Sequence, residues 1–143
     1  PSLMGADRLA KLLAAIGPLL APGAEVSMEA NPETVDEALL DAIVNGGVTR
    51  LSLGVQSSRP HLLGVLDRRA TPDDAARAVA LARAAGIGAL SVDLILAVPG
   101  QSPDDLAADL ELGQRRRARS RVVVRVGVQR GERNCARQPG AAR

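Results

Sequence analysis

Phenylalanine, tyrosine and tryptophan are all absent from this 143-residue chain. Their absence removes the side chains that usually supply much of a core's buried area and a pocket's stacking surface. Any core must therefore be aliphatic, and a 46% hydrophobic content is enough to fill one ordinary domain. Cysteine is nearly absent as well: Cys135 alone can neither close an internal disulfide nor supply a zinc or iron–sulfur site. No apolar run approaches the about 20 residues that span a bilayer, and no basic segment leading into an apolar one opens the sequence. A cytoplasmic location without a membrane partner is the expectation. Acidic residues all but run out at one point: residues 1–113 hold 15 Asp or Glu against 8 Lys or Arg, and residues 114–143 hold 1 against 10. A net charge of −7 is thus followed by one of +9. Such a break marks either a basic tail for nucleic acid or two segments of different origin.

What is present reads as alternating helices and strands. Leu9, Leu12, Leu13 and Ile16 recur at helical spacing from Ala6, and Gly17-Pro18 interrupts them. Glu25-Val-Ser-Met-Glu29 alternates as a strand does and Asn31-Pro32 stops it. Thr34 and Glu37 have the spacing of a capping box, opening a helix that ends at Gly46-Gly47. Residues 50–56 alternate again, and a short helix is expected from Pro60 to about Leu66. Thr71-Pro72 and Ser102-Pro103 each place a capping hydroxyl before a proline, with Asp74 and Asp105 near the positive helix end. Between them residues 89–96 are apolar enough for a strand covered on both faces. The order predicts an α/β fold with parallel strands, either an open sheet or an arc of a barrel. Beyond Gln114 the signals fade, although residues 122–126 admit a short strand.

In parallel barrels the reacting groups stand at the C-terminal ends of strands. Glu29 closes the first predicted strand, Gln56 closes the second, and Asp93 lies in the apolar third. A carboxylate with apolar neighbours needs a partner. The plain alternative gives each a local job: Glu29 accepting backbone N–H groups in its own turn, Gln56 capping its strand, Asp93 pairing with an Arg or Lys. Pro99-Gly-Gln-Ser102 reads as a turn into a capped helix; as an anion site it is unspecific. His61, the only histidine, has no nearby carboxylate in its pattern and reads as solvated or packing, while Met4 and Met28 read as core filler.

Four linked blocks carry a resemblance: Pro1-Ser-Leu-Met4, residues 25–34 with Glu29-Ala-Asn-Pro32, residues 47–57 with Gly54-Val-Gln56, and Asp93-Leu-Ile95 followed by Pro99-Gly-Gln101. Together they resemble radical S-adenosylmethionine proteins of the haem-chaperone and oxygen-independent coproporphyrinogen III oxidase family. The Glu-Ala-Asn-Pro block looks more like the chaperone branch. The resemblance implies a partial (β/α) barrel of the triosephosphate-isomerase type over residues 1–113, with S-adenosylmethionine and a [4Fe–4S] cluster as cofactors of the complete protein and haem or a porphyrin as partner. Carried over by motif position, it implies cofactor-binding roles for Glu29, Gln56, Arg68 and Asp93. Those types suit the task, since carboxylates accept from ammonium or hydroxyl groups, Gln donates and accepts, and Arg grips a carboxylate. No catalytic residue and no metal ligand is assigned to this chain.

The chain also departs from the family. Its CxxxCxxC cluster motif and first strand would lie upstream of Pro1, so a cluster is not expected on this chain, and the chain alone is expected to be inactive. The usual Gly-Arg-x-His is Asp67-Arg-Arg-Ala70 here, and the usual aromatic-Gly pair is Leu96-Ala97. Residues 114–143 depart altogether. Codons compatible with residues 126–137, read one nucleotide later, can encode a stretch resembling the family's next strand, so residues 114–143 are read as a basic, frame-shifted and poorly ordered tail. Two alternatives stand beside this reading. One is a non-enzymatic module binding nucleic acid or acidic surfaces through the basic tail; the tail has no aromatic residues to stack on bases, so nucleic acid is not the expected partner. The other is a different barrel enzyme with Glu29 and Asp93 as an acid/base pair.

Overall fold

Alternation along the strands divides the molecule into an apolar side and a polar side. The computed structural model describes the backbone of residues 1–115 and 121–128 and side chains as far as residue 111. Strands β1 (Ser27–Ala30), β2 (Arg50–Gln56), β3 (Ala89–Leu96) and β4 (Arg121–Val128) form one parallel sheet in that order. Register aligns Met28, Leu51 and Leu90 in one row and Glu29, Ser52 and Ser91 in the next. Because successive side chains point to opposite faces, Met28, Ala30, Leu51, Leu53, Val55, Leu90, Val92 and Leu94 share one face. All are buried in a single core cluster. Glu29, Ser52, Gly54, Gln56, Ser91 and Asp93 fall on the other.

Among the described residues five α-helices accompany the strands: α1 (Ala6–Ile16) ahead of β1, and α2 (Glu37–Asn45), α3 (Pro60–Val65), α4 (Pro72–Ala84) and α5 (Pro103–Arg115) between strands. Leu9 and Leu13 of α1 and Leu39, Leu40 and Ile43 of α2 enter the same core, joined by Ala75, Ala78, Val79 and Ala82 of α4. Small residues on α4 let that helix approach the sheet closely, so branched aliphatic side chains fill the space without an aromatic ring. Strand β3, in which every residue is buried or half-buried, is covered on both faces as expected, by different means on each. Helices cover its Leu90, Val92 and Leu94, while Ser91 is buried by a hydrogen-bonded layer on the opposite face.

Most boundaries follow their signals. Thr71 and Ser102 cap their helices as expected, each hydroxyl accepting from the backbone N–H of the aspartate three residues on, and Asp74 and Asp105 accept in return, which makes each a capping box. Those bonds hold both aspartates below the usual carboxylate range, the backbone donor contributing most. The cap of α2 is different from the expectation. Asp36, not Thr34, is its N-cap and accepts from Leu39 N–H at 2.8 Å. Pro32 starts a 3-10 turn over Pro32–Thr34, and Thr34 Oγ1 donates to the Asn31 carbonyl at 2.7 Å, which leaves Val35 and Asp36 extended and Asp36 immediately before the helix. Strand β1 begins at Ser27, because Glu25 turns aside to hold Arg50 through two 2.9 Å bonds that raise the Arg50 pKa. Strand β4 lies where residues 122–126 admit one. Cys135 and the rest of residues 129–143 lie outside the described residues, as do residues 116–120.

Among the described residues no helix is long and apolar enough to cross a membrane. Ala97, standing where the family resemblance leads one to expect glycine, has φ 59°. There a Cβ crowds the following carbonyl. Ala97→Gly is expected to raise stability by about 1 kcal/mol, read as a higher urea midpoint. A lower midpoint would contradict the strain.

Candidate functional site

The polar face of the sheet ends in an open cleft of about 250 Å³, and Glu29, Gln56, Arg68 and Asp93 all line it. Three come from the C-terminal halves of adjacent strands; Arg68 comes from the turn after α3. Asn31, Gly54 and the segment 1–3 complete the wall. That segment is fixed by a long-range bond, Asn31 N–H donating to Ser2 Oγ at 3.2 Å.

Asp93 is held by a relay rather than by a cation. Ser91 Oγ donates to Ser52 Oγ at 2.7 Å, and Ser52 Oγ donates to Asp93 Oδ2 at 2.7 Å. Both hydroxyls are buried, so each oxygen along the relay polarises the next. The other carboxylate oxygen, Asp93 Oδ1, is buried and has no hydrogen-bond partner. A buried acceptor left open is costly unless something that donates comes to it.

Gln56 is 8% exposed and has φ 68°. Ser57 N–H donates to the Val55 carbonyl at 2.8 Å across it. A three-residue turn with positive φ at its centre is the strained kind of γ-turn. Ladder register shifts between Leu53 and Gln56, and Gly54 stands at the shift. A Cβ on Gly54 would lie 2.9 Å from Gln56 Nε2 and 3.8 Å from Asn31 Oδ1. Bare glycine thus keeps the cleft floor open between the two amides. Arg68, exposed, donates from Nη1 to Asn31 Oδ1 at 3.3 Å. Glu29 is exposed on the same wall, and no hydrogen bond in its own turn holds it.

Sequence reasoning missed the groups around these four. Asp109 of α5 is fully buried and accepts from Ser57 Oγ at 3.0 and 3.1 Å, from Ser58 Oγ at 2.7 Å, and from Ser58 N–H. Asp105, one helical turn earlier, lies 3.2 Å from Arg59 Nε and 3.4 Å from His61 Nε2. The reading of His61 as lacking a carboxylate neighbour is therefore corrected: α5 brings one from 44 positions away. Gly54 did carry a signal, since a lone glycine inside a strand pattern often marks a bulge.

The cleft offers two carboxylates, one guanidinium and two amides around a small volume. Such a set can bind a zwitterion bearing hydroxyls, the carboxylates taking ammonium and hydroxyl protons and the guanidinium a carboxylate. Open Asp93 Oδ1 and the bare floor at Gly54 fit a ligand of that kind. A metal cluster fits less well: among the described residues no three His, Cys, Asp or Glu side chains stand together to hold a metal ion.

Comparison with known proteins identifies the family and the fold. Over 113 residues the chain is 45% identical to the heme chaperone HemW of Mycobacterium tuberculosis, covering 78% of this chain and 29% of that protein. It is 34% identical over 113 residues to the oxygen-independent coproporphyrinogen III oxidase of Paracoccus denitrificans, covering 25% of it. The chain thus spans under a third of the curated relatives it matches. The coproporphyrinogen III oxidase HemN of Escherichia coli, a radical SAM enzyme, superposes with a TM-score of 0.75 at 23% identity, over 88% of this chain and 29% of that one. The methyltransferase TsrM of Kitasatospora setae, solved with cobalamin and a [4Fe–4S] cluster, superposes with a TM-score of 0.68 at 20% identity, over 86% and 24%. Both structural likenesses identify the fold as the barrel type of radical SAM proteins. The Radical SAM superfamily model matches residues 2–113, most of the chain, and the chain therefore belongs to the radical SAM superfamily.

Proposed function

We propose that this chain is the S-adenosylmethionine-binding portion of a radical SAM protein of haem metabolism, on the haem-chaperone branch, with haem or a porphyrin as the parent protein's partner and the cytoplasm as its location. The observation that carries the reading is the convergence of Glu29, Gln56, Arg68 and Asp93 on one cleft with Asp93 Oδ1 unpaired. The 45% identity to the Mycobacterium tuberculosis heme chaperone, against 34% to the Paracoccus denitrificans oxidase, supports that branch. Residues 114–143 are proposed to be a frame-shifted tail, of which Arg121–Val128 pair with β3 as the fourth strand of the sheet.

In this reading the cofactor supplies one-electron cleavage chemistry when an intact protein also carries its cluster. This chain's residues contribute binding and orientation. Arg68 takes the amino-acid carboxylate; Glu29 and Asp93 accept from ammonium or ribose hydroxyls; the Gln56 amide supplies one donor and one acceptor. The serine relay holds Asp93 through Oδ2, so the carboxylate keeps its place in the cleft wall without reorganising on binding.

Isothermal titration of the chain with S-adenosylmethionine tests the reading. Saturable binding is expected, and Asp93→Ala and Arg68→Ala should each weaken it about tenfold or more, the scale of one lost charge-assisted hydrogen bond. Binding that both variants retain unchanged would sink the assignment.

A further inference from the structure

The four cleft residues do not explain why Gln56 stays where it is. A residue with a Cβ at φ 68° is held in a disfavoured conformation. Such a conformation persists only where the surroundings over-determine it. The strand on its N-terminal side does not do so alone, because the ladder register shifts between Leu53 and Gln56 and only the single pairing with Leu94 follows the shift. On its C-terminal side, the next two residues are both tied to one buried carboxylate on another element, 51 and 52 positions away. Ser57 gives its hydroxyl proton to Asp109 while its oxygen accepts Arg59 N–H at 3.0 Å. Ser58 gives Asp109 both its hydroxyl and its backbone N–H. Asp109 is 0% exposed and Ser57 0%, so water does not compete for these bonds.

We propose that Asp109 is a positioning residue of the cleft, which holds Gln56 in its strained turn by clamping Ser57 and Ser58 onto α5. Asp109 does not line the cleft itself. Its action on a ligand passes through the backbone of Gln56. Glycine reaches positive φ without steric cost, so a chain carrying Gln56→Gly has no strain for the clamp to resist. That difference separates a clamp on Gln56 from a general contribution to folding. The affinity part of the test rests on the S-adenosyl reading of the cleft; the conformational part does not.

The experiment is a double-mutant cycle on the full chain, with S-adenosylhomocysteine as the probe in calorimetry and the ¹³Cα and ¹³Cβ shifts of residue 56 as the conformational readout. Asp109→Asn, which conserves volume, is expected to weaken binding about tenfold alone but less than about twofold when Gln56→Gly is already present. The Gln56 shifts should move out of the left-handed range in Asp109→Asn. Ser57→Ala, which leaves Asp109 in place, should move them in the same direction by less. Equal loss of affinity in both backgrounds, or Gln56 shifts that Asp109→Asn leaves unchanged, would overturn the clamp. Failure of the unsubstituted chain to bind the probe would count against the functional reading, and the shifts alone would then decide the clamp.

Discussion

Leu53→Ala is expected to cost about 3 kcal/mol, within the range for emptying a fully buried leucine site. Leu53 is 0% exposed on the helix-covered face of β2, paired in register with Ala30 and Val92, both buried. Neighbours on both sides of it are held by the sheet, so the gap cannot close by a side-chain rotation and the cavity term is nearly full. Domains of this size are stable by only about 5–15 kcal/mol, so the variant should show a markedly lower urea midpoint at an unchanged m-value. Leu12→Ala, at a side chain 45% exposed on α1, is the comparison and should lose less than half as much. Equal losses at the two positions would mean that the helix-covered face is not the core the burial pattern describes. The expected effect also reaches the cleft, since β2 carries Ser52, Gly54 and Gln56 on its opposite face.

How far the sequence announces this arrangement depends on where each partner sits. Strand β2 is legible because its alternation, Leu51, Leu53 and Val55 against Ser52, Gly54 and Gln56, is the pleat itself. Gln56 and Asp93 stand out for the same reason: each is a polar residue at the end or in the middle of an apolar run. What the alternation cannot state is their partner. The relay through Ser52 and Ser91 depends on β2 and β3 lying in one register, and Ser52 opposite Ser91 is a fact of pairing between strands 39 positions apart. Asp109 is hidden more deeply. On α5 it follows Asp105 by four residues and precedes Glu111 by two, which reads as a solvated acidic stripe, and only the packing of α5 against the 57–61 segment turns Asp105 and Asp109 inward. The cap of α2 fails for a local reason. Thr34 and Asp36 are both competent caps, and the proline-initiated turn that selects Asp36 is a competition between two local hydrogen-bonding schemes.

Gly46→Ala is expected to be comparably severe, at about 2–3 kcal/mol, although it adds one methyl group at an ordinary backbone angle. A Cβ there would lie 2.7 Å from Leu13 Cβ and 2.8 Å from the Ala42 carbonyl oxygen, besides overlapping the end of the Leu13 side chain. Leu13 Cδ1 could swing away; the other two could not, because one is fixed to the α1 backbone and the other belongs to the end of α2. Relief therefore requires α1 to lift from α2, exposing Leu9 and Leu13, which are now buried against Leu39, Leu40 and Ile43. Gly64→Ala supplies the control: no heavy atom lies within 4 Å of its added Cβ, so stability should hold or rise slightly. Lifting α1 has a second consequence. The helix follows the 3-10 turn Ser2–Met4 after one glycine, and Ser2 accepts the Asn31 N–H at the mouth of the cleft. Gly46→Ala should accordingly loosen the segment 1–3 wall, read as faster hydrogen exchange at the Asn31 amide, whereas Leu53→Ala should leave that amide as protected as those of β1. A Gly46→Ala chain of unchanged midpoint and unchanged Asn31 protection would mean that α1 does not rest on α2 through this contact.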